Sequence, residues 1–254
     1  MATLPFPAPV WTMLELHQFR HSAFCLKVRM TLHAKDLSFR EVEVTPGLGQ
    51  LSVFRMSGQR QVPVLVDGDQ VFADSSAICR YLETLQPDPA LLPSDPLQRA
   101  QVELIEDWAD TTLAASARAA LLQAAADDSQ LRLALLPDDL PAPLRQVMSG
   151  VPGGWLSTLG DLLGQEQRAS MLSSLTALAE GLDQNGYLVG NTLTLADLAV
   201  AAQLSLLRFP ASSGDSLAGR GVPGLSDHPR LQSLFRWRDQ LEAQLIQRDP
   251  AAIE

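Results

Sequence analysis

The chain has 254 residues, 46% of them hydrophobic and 19% charged, with a formal net charge of −10. That length holds one large domain or two ordinary ones, and the composition is that of a folded globular chain rather than a disordered one. No dense run of Lys or Arg interrupts the acidic balance, which argues against nucleic acid or an anionic membrane as a partner, and no run of about 18 apolar residues predicts a transmembrane helix. Two cysteines, Cys25 and Cys79, are too few for a disulfide framework and fit a reducing compartment. The first twelve residues hold three prolines and no cation, unlike a signal peptide, so a cytoplasmic location is expected. Lysine occurs only at Lys27 and Lys35; every other cation is arginine.

In chain order, residues 1–12 read as a Pro-rich extension. The segment from Met13 to Phe19 alternates apolar and polar residues as a half-buried strand does, and 22–34 follows with Phe24, Val28 and Leu32 at helical spacing behind Ser22, a good N-cap. A second strand is predicted over 38–44 and a short helix over 50–56, ended by Gly58. Two apolar runs, 62–66 and 70–73, flank Asp67-Gly68-Asp69 and predict a β-hairpin, after which 75–85 is helical again. Pro87, Pro89, Pro93 and Pro96 mark a linker at 87–96. Everything beyond reads as helix: 97–126, 155–182, 194–209 and 228–246, with an irregular insertion at 127–154 and a surface loop at 210–229.

Three constellations carry chemistry. Ser22 sits where a strand gives way to a helix, so unpaired N–H groups and the positive dipole end gather around it; it stabilises an anion there or only caps the helix. Cys25, one turn on, is either a thiolate made reactive by that helix end or a small buried hydrophobe. Val62-Pro63 opens a strand with a residue that cannot donate to a ladder; a cis bond would turn the Val62 N–H and C=O outward toward an extended ligand, a trans bond would merely start an edge strand. Asp74-Ser75 begins a helix, where Ser75 and the free N–H groups suit a carboxylate and Asp74 an ammonium, unless both serve only to cap. Thr194 with Asp197 three residues on is a capping box in its Asp form, with Leu193 as staple, and reads as a folding signal.

The order and spacing of these features (Ser22 at a first helix start, Val62-Pro63 about 40 residues on, Asp74-Ser75 about 11 further, and the Thr-Leu-Ala-Asp box beyond) resemble the glutathione transferase family over roughly 13–246. The resemblance implies α/β plus all-α architecture: a thioredoxin-like N-terminal domain at 13–86, the linker, and an all-helical C-terminal domain at 97–250. It implies glutathione as co-substrate, no metal, a detoxifying transferase and a homodimer. Val62 before a cis Pro63 would pair with the cysteinyl part of glutathione, Asp74 and Ser75 with its γ-glutamyl ammonium and carboxylate, and Gln61 would lie near its glycyl end. A small, largely apolar electrophile would enter the cleft toward the helical domain, where Trp108, Trp155 and Trp237 are aromatic candidates. Neither Tyr81 nor Tyr187 follows the first strand, so tyrosine-type thiol activation is unavailable. Ser22-Ala23-Phe24-Cys25 is similar to the Cys-Pro-Phe-Cys motif of glutaredoxin-like relatives with the leading thiol replaced. The implied catalytic residue is therefore Ser22, with a Cys25-dependent thiol oxidoreductase and a non-catalytic binding or scaffold protein as alternatives.

Overall fold

The computed structural model describes residues 13–45, 49–136 and 165–246. The predicted extension at 1–12, the insertion beyond residue 136 and the start of the predicted 155–182 helix lie outside them. The alternating segment forms β1 (Leu14–Gln18), whose inward residues Leu14 and Leu16 are buried. It lies between β2 (Phe39–Glu43), which runs parallel to it, and β3 (Val64–Asp67), which runs antiparallel; β4 (Gln70–Ala73) pairs with β3 to complete the order β2-β1-β3-β4. The hairpin turn is one residue shorter than expected: Asp67 stays in the strand opposite Gln70, and Gly68 takes the positive φ of 57° that the two-residue loop needs.

Helix α1 (Ala23–Ala34) and α3 (Ser75–Leu85) cover one face of this sheet, because Leu16 and Leu65 share a cluster with Val28, Leu32, Ile78 and Leu82. Val64 points the other way, with Val44 and with Val53 of α2 (Gln50–Ser57). The resulting β-α-β-α-β-β-α order is the thioredoxin-like arrangement. Lys35, fully buried at the end of α1, ties down the proline-rich stretch: its Nζ lies 2.5 Å from Glu83 Oε2 and donates to the carbonyls of Pro89 at 2.6 Å and Pro87 at 3.3 Å. Glu83 in turn accepts from the N–H groups of Leu91 and Leu92.

The rest of the described chain is helical apart from one long loop. Asp95 caps α4 (Pro96–Trp108), a π-helical segment (Ala109–Leu113) follows, and α5 (Ala114–Asp127) continues it. The predicted long helix is thus one continuous run with a π segment inside it. Next come α6 (Ser129–Ala134), within the predicted insertion, then α7 (Gln165–Asn185), α8 (Leu195–Leu204) and α9 (Gln232–Ile246). Helix α8 stops five residues short of the predicted Phe209. Pro210 disfavours a helical Phe209, and the chain instead pairs Arg208 with Gly221 as an isolated bridge. All ten residues of α8 are buried; Leu195, Leu198 and Ala202 join the α1–α3 cluster, while Val200 and Leu204 join the core of the helical domain. One apolar cluster therefore runs from the sheet into the second domain.

The predicted capping box is formed at the start of α8. Asp197 Oδ2 accepts from the Thr194 N–H at 2.8 Å and from its hydroxyl at 2.7 Å, and Oδ1 accepts from the Leu188 N–H at 2.8 Å. Burial pushes the Asp197 carboxyl upward, and these hydrogen bonds oppose that shift. Asp197→Ala would strand buried donors in the middle of the shared core, so we expect it to lower stability by about 2–4 kcal/mol in urea denaturation. A loss below about 0.5 kcal/mol would show that the box is dispensable.

Candidate functional site

A cleft of about 300 Å³ opens between the two domains. One wall comes from the N-terminal domain: Gln59, Gln61, Val62, Pro63, Asp74, Ser75 and Ser76, with Phe24 from the first turn of α1. Asp107, Asp110 and Thr111, from α4 and the π segment, form the other. Five residues singled out in the sequence, Gln61, Val62, Pro63, Asp74 and Ser75, thus converge although 14 positions separate the first from the last. The Val62–Pro63 bond is cis.

At the start of α3 the capping role belongs to Asp74 rather than Ser75. Asp74 has a φ of 81°, and its Oδ1 accepts the Ala77 N–H at 2.9 Å. A non-glycine residue there costs on the order of 1–3 kcal/mol, and such positions cluster at functional sites. Ser75 is buried at the cleft wall, where the first-turn N–H groups of α3 collect. Asp74 therefore carries two duties, the cap and the exposed carboxylate at the cleft.

Ser22 is placed differently. It caps α1, accepting from the Cys25 N–H at 3.4 Å, but it does not line the 300 Å³ cleft. It borders a separate recess of about 10 Å³ with Arg20, His21, Arg29, Ser205 and Phe209 among its neighbours, room for no more than about one water. Its side chain also hydrogen-bonds the Cys25 thiol. Phe24, two residues on, does face the cleft, with the Arg118 guanidinium carbon 5.8 Å from its ring centroid. A roomier hollow of about 660 Å³ between α9 and the loop near Phe209 and Ser212 holds none of the predicted residues.

Cys25 takes the second of its two readings, the small buried hydrophobe. Although it lies in the first turn of α1, it is fully buried, and burial pushes its thiol up to about 11 despite the opposing Ser22 hydrogen bond. Desolvation outweighs the helix end, so the reactive-thiolate reading loses its physical basis. Of the aromatic candidates, neither Trp108 nor Trp237 lines the cleft: both pack against cores, and the Trp237 indole N–H donates to the Gly186 carbonyl at 3.0 Å. Trp155 lies outside the described residues.

The sequence reading missed the ionic cluster behind the cleft. Lys27, fully buried on α1, sits 2.6 Å from Glu106 Oε1 and 2.5 Å from Asp110 Oδ2, and it donates to Ser76 Oγ at 3.1 Å. Ser76 also donates to Glu106 Oε1. Arg80 approaches Glu106 Oε2 at 3.4 Å. Burial would depress the Lys27 ammonium, but Cys79, Asp110 and Glu106 together hold it above its ordinary value. Burial likewise pushes the Glu106 carboxyl up, and the Lys27 charge and hydrogen bond, helped by Ser76 and Arg80, bring it below the usual range. Two signals pointed here: a lysine within an apolar helix of an arginine-rich chain, and Asp107, Asp110 and Thr111 at i, i+3, i+4 on one helix face.

Comparison with known proteins places these features in context. The chain matches the family descriptions "Glutathione S-transferase, N-terminal domain" over 16–90 and "Glutathione S-transferase, C-terminal domain" over 163–236, together more than half of its length. It is 29% identical to protein LigF of Sphingobium sp. over 231 residues, 84% of this chain and 86% of that one. It is 27% identical to FtsZ-localized protein A of Caulobacter vibrioides over 198 residues, 76% and 77% of the two chains. Among solved structures, a glutathione S-transferase from Rhodospirillum rubrum superimposes with a TM-score of 0.63 at 25% identity, covering 94% of this chain and 90% of that one.

Two outcomes follow. With both thiols buried and raised to about 11, iodoacetamide at neutral pH should label neither Cys25 nor Cys79 until the protein unfolds; rapid native labelling of Cys25, followed by mass spectrometry, would restore the reactive-thiolate reading. Because the folded Glu106 carboxyl lies below its unfolded value of about 4.5, its pairing contributes stability above that pH and loses it as pH falls through the folded value. The stability gap between wild type and Glu106→Gln in urea titrations should therefore narrow on acidification from pH 6 to about 3; a gap independent of pH would contradict the pairing.

Proposed function

Because the chain belongs to the glutathione transferase family, we propose that it conjugates the glutathione thiolate to a small, largely apolar electrophile in the cleft between its domains. The observation that carries this reading is the convergence of Gln61, Val62, Pro63, Asp74 and Ser75 on one cleft at the start of α3. Ser75 and the α3 N–H groups suit the γ-glutamyl carboxylate, Asp74 its ammonium, the Val62 backbone the cysteinyl part, and Gln61 the glycyl end. Among the described residues no cation lines this cleft, so Gln61 would meet the glycyl carboxylate with an amide rather than a charge.

Ser22 is the proposed thiolate stabiliser. A thiol of pKa near 8.5 is only a few per cent ionised at neutral pH, and lowering it by about two units requires roughly 2.7 kcal/mol. One hydroxyl hydrogen bond to the sulfur together with the α1 N-terminus supplies that order of energy. The thiolate then forms a carbon–sulfur bond as the leaving group departs or as an activated double bond takes up the electrons. Phe24 is the aromatic surface available to the electrophile. LigF, similar across both domains, has a solved structure described as a β-etherase, so ethers belong among the electrophiles to screen. We further propose that the enzyme works in the cytoplasm as a homodimer.

A second reading is favoured by the similarity to FtsZ-localized protein A, whose name records a location and no reaction: a non-catalytic protein of the same fold. Calorimetric titration with glutathione separates the two. Wild type should bind, and Ser75→Ala should bind roughly tenfold more weakly. Ser22→Ala should keep binding yet lose conjugation by about 10²-fold; near-full activity would remove Ser22 from the mechanism. Wild type that ignores glutathione would favour the non-catalytic reading.

A further inference from the structure

The proposed reaction makes no use of Lys27, yet its ammonium sits where Ser76, Glu106 and Asp110 from the two walls of the cleft meet. Its ammonium has three protons, and each meets an oxygen from a different element: Ser76 on α3, Glu106 on α4 and Asp110 in the π segment. Lys27 itself belongs to α1, the helix that carries Ser22 and Phe24. Ser76 and Asp110 face each other across the cleft floor, and both line it. Asp110 is anchored through Oδ2 alone, since Oδ1 is buried without a partner among the described residues. Removing the ammonium would leave Glu106 and Asp110 facing each other as like charges with no counter-ion nearer than Arg80 at 3.4 Å.

We propose that Lys27 is a positioning residue of the glutathione site: from behind the cleft its ammonium fixes the first turn of α3 against the π segment and so sets the separation of the two walls. This rests on the glutathione reading above and adds a residue that touches no ligand. A compact ammonium with three rotatable donors fits three converging oxygens, where a planar guanidinium fork would not. That accounts for a lysine at this point in a chain that otherwise uses arginine almost throughout.

Lys35 supplies the control. It is equally buried and ion-paired, but it holds residues 87–89 at the far end of α3, away from the cleft. Glutathione titration and steady-state kinetics on wild type, Lys27→Met and Lys35→Met, each checked for folding by thermal melting, test the proposal. Lys27→Met should raise the Kd and KM for glutathione about tenfold or more, with kcat at saturating glutathione within about threefold of wild type. Lys35→Met should melt earlier to a similar degree but bind glutathione within about twofold of wild type. If Lys27→Met does not fold, Glu106→Gln, which is remote from the ligand, should still weaken binding roughly threefold or more. Wild-type affinity in folded Lys27→Met or in Glu106→Gln, or equal weakening by Lys35→Met, would overturn the proposal. Failure of wild type itself to bind glutathione would instead overturn the functional reading beneath it.

Discussion

Between the two domains lies one ammonium that cannot reach water. A buried cation is tolerated only when its protons are matched by well-placed acceptors; breaking such a pair typically costs 3–5 kcal/mol, whereas an apolar replacement of the whole group is often neutral. Lys27 meets that condition with oxygens from three helices, and the requirement acts on all three at once. The apolar cluster that runs from Leu16 through Val28 to Leu198 supplies bulk attraction between the domains but little direction. The ionic cluster supplies the direction. Apolar burial holds the domains together, and polar matching at Lys27 settles how they meet.

The π segment at Ala109–Leu113 belongs to the same arrangement. A wider helical turn shifts the residues that follow relative to a regular α-helix, and such segments recur at functional sites. Here it lies where the run from α4 into α5 passes the cleft, and it brings Asp110 to the ammonium while Asp107 and Thr111 line the opening. The Asp74 backbone on the facing wall also departs from regular geometry, as does the cis Val62–Pro63 bond beside it. The two irregular stretches thus stand opposite each other across the same space, while the helices around them are ordinary.

Much of this was legible in the residues. The strand at Met13–Phe19, the helix behind Ser22, the hairpin at 62–73 and the Thr194–Asp197 box follow from period, turn chemistry and capping, which act over a few residues and leave a local trace. The grouping of Gln61, Val62, Pro63, Asp74 and Ser75 at one site was implied by the resemblance to the glutathione transferase family, and the structure brings them to one cleft. What was not legible depends on tertiary surroundings. The helix turn left Cys25 open to two readings, and the packing above it, which decides its solvation, selects the buried one. Asp74 outcompeted Ser75 for the cap because of a backbone angle that no propensity announces. Helix α8 looked longer because Leu206 and Leu207 continue its apolar run, while Pro210 had already ended it from beyond. The Lys27 cluster joins residues up to 83 positions apart, a separation that sequence periodicity does not reach.

The arginine bias has a further consequence. Both lysines of the chain are spent inside it, Lys27 beneath the cleft and Lys35 beneath the proline-rich stretch, each at most 1% exposed. The folded protein therefore offers no lysine amine to acylating reagents, to amine-coupling supports or to lysine-specific proteases. Reaction at either lysine therefore reports opening rather than surface. Because the two sites lie in different joints of the molecule, the order in which Lys27 and Lys35 become reactive tells which joint yields first.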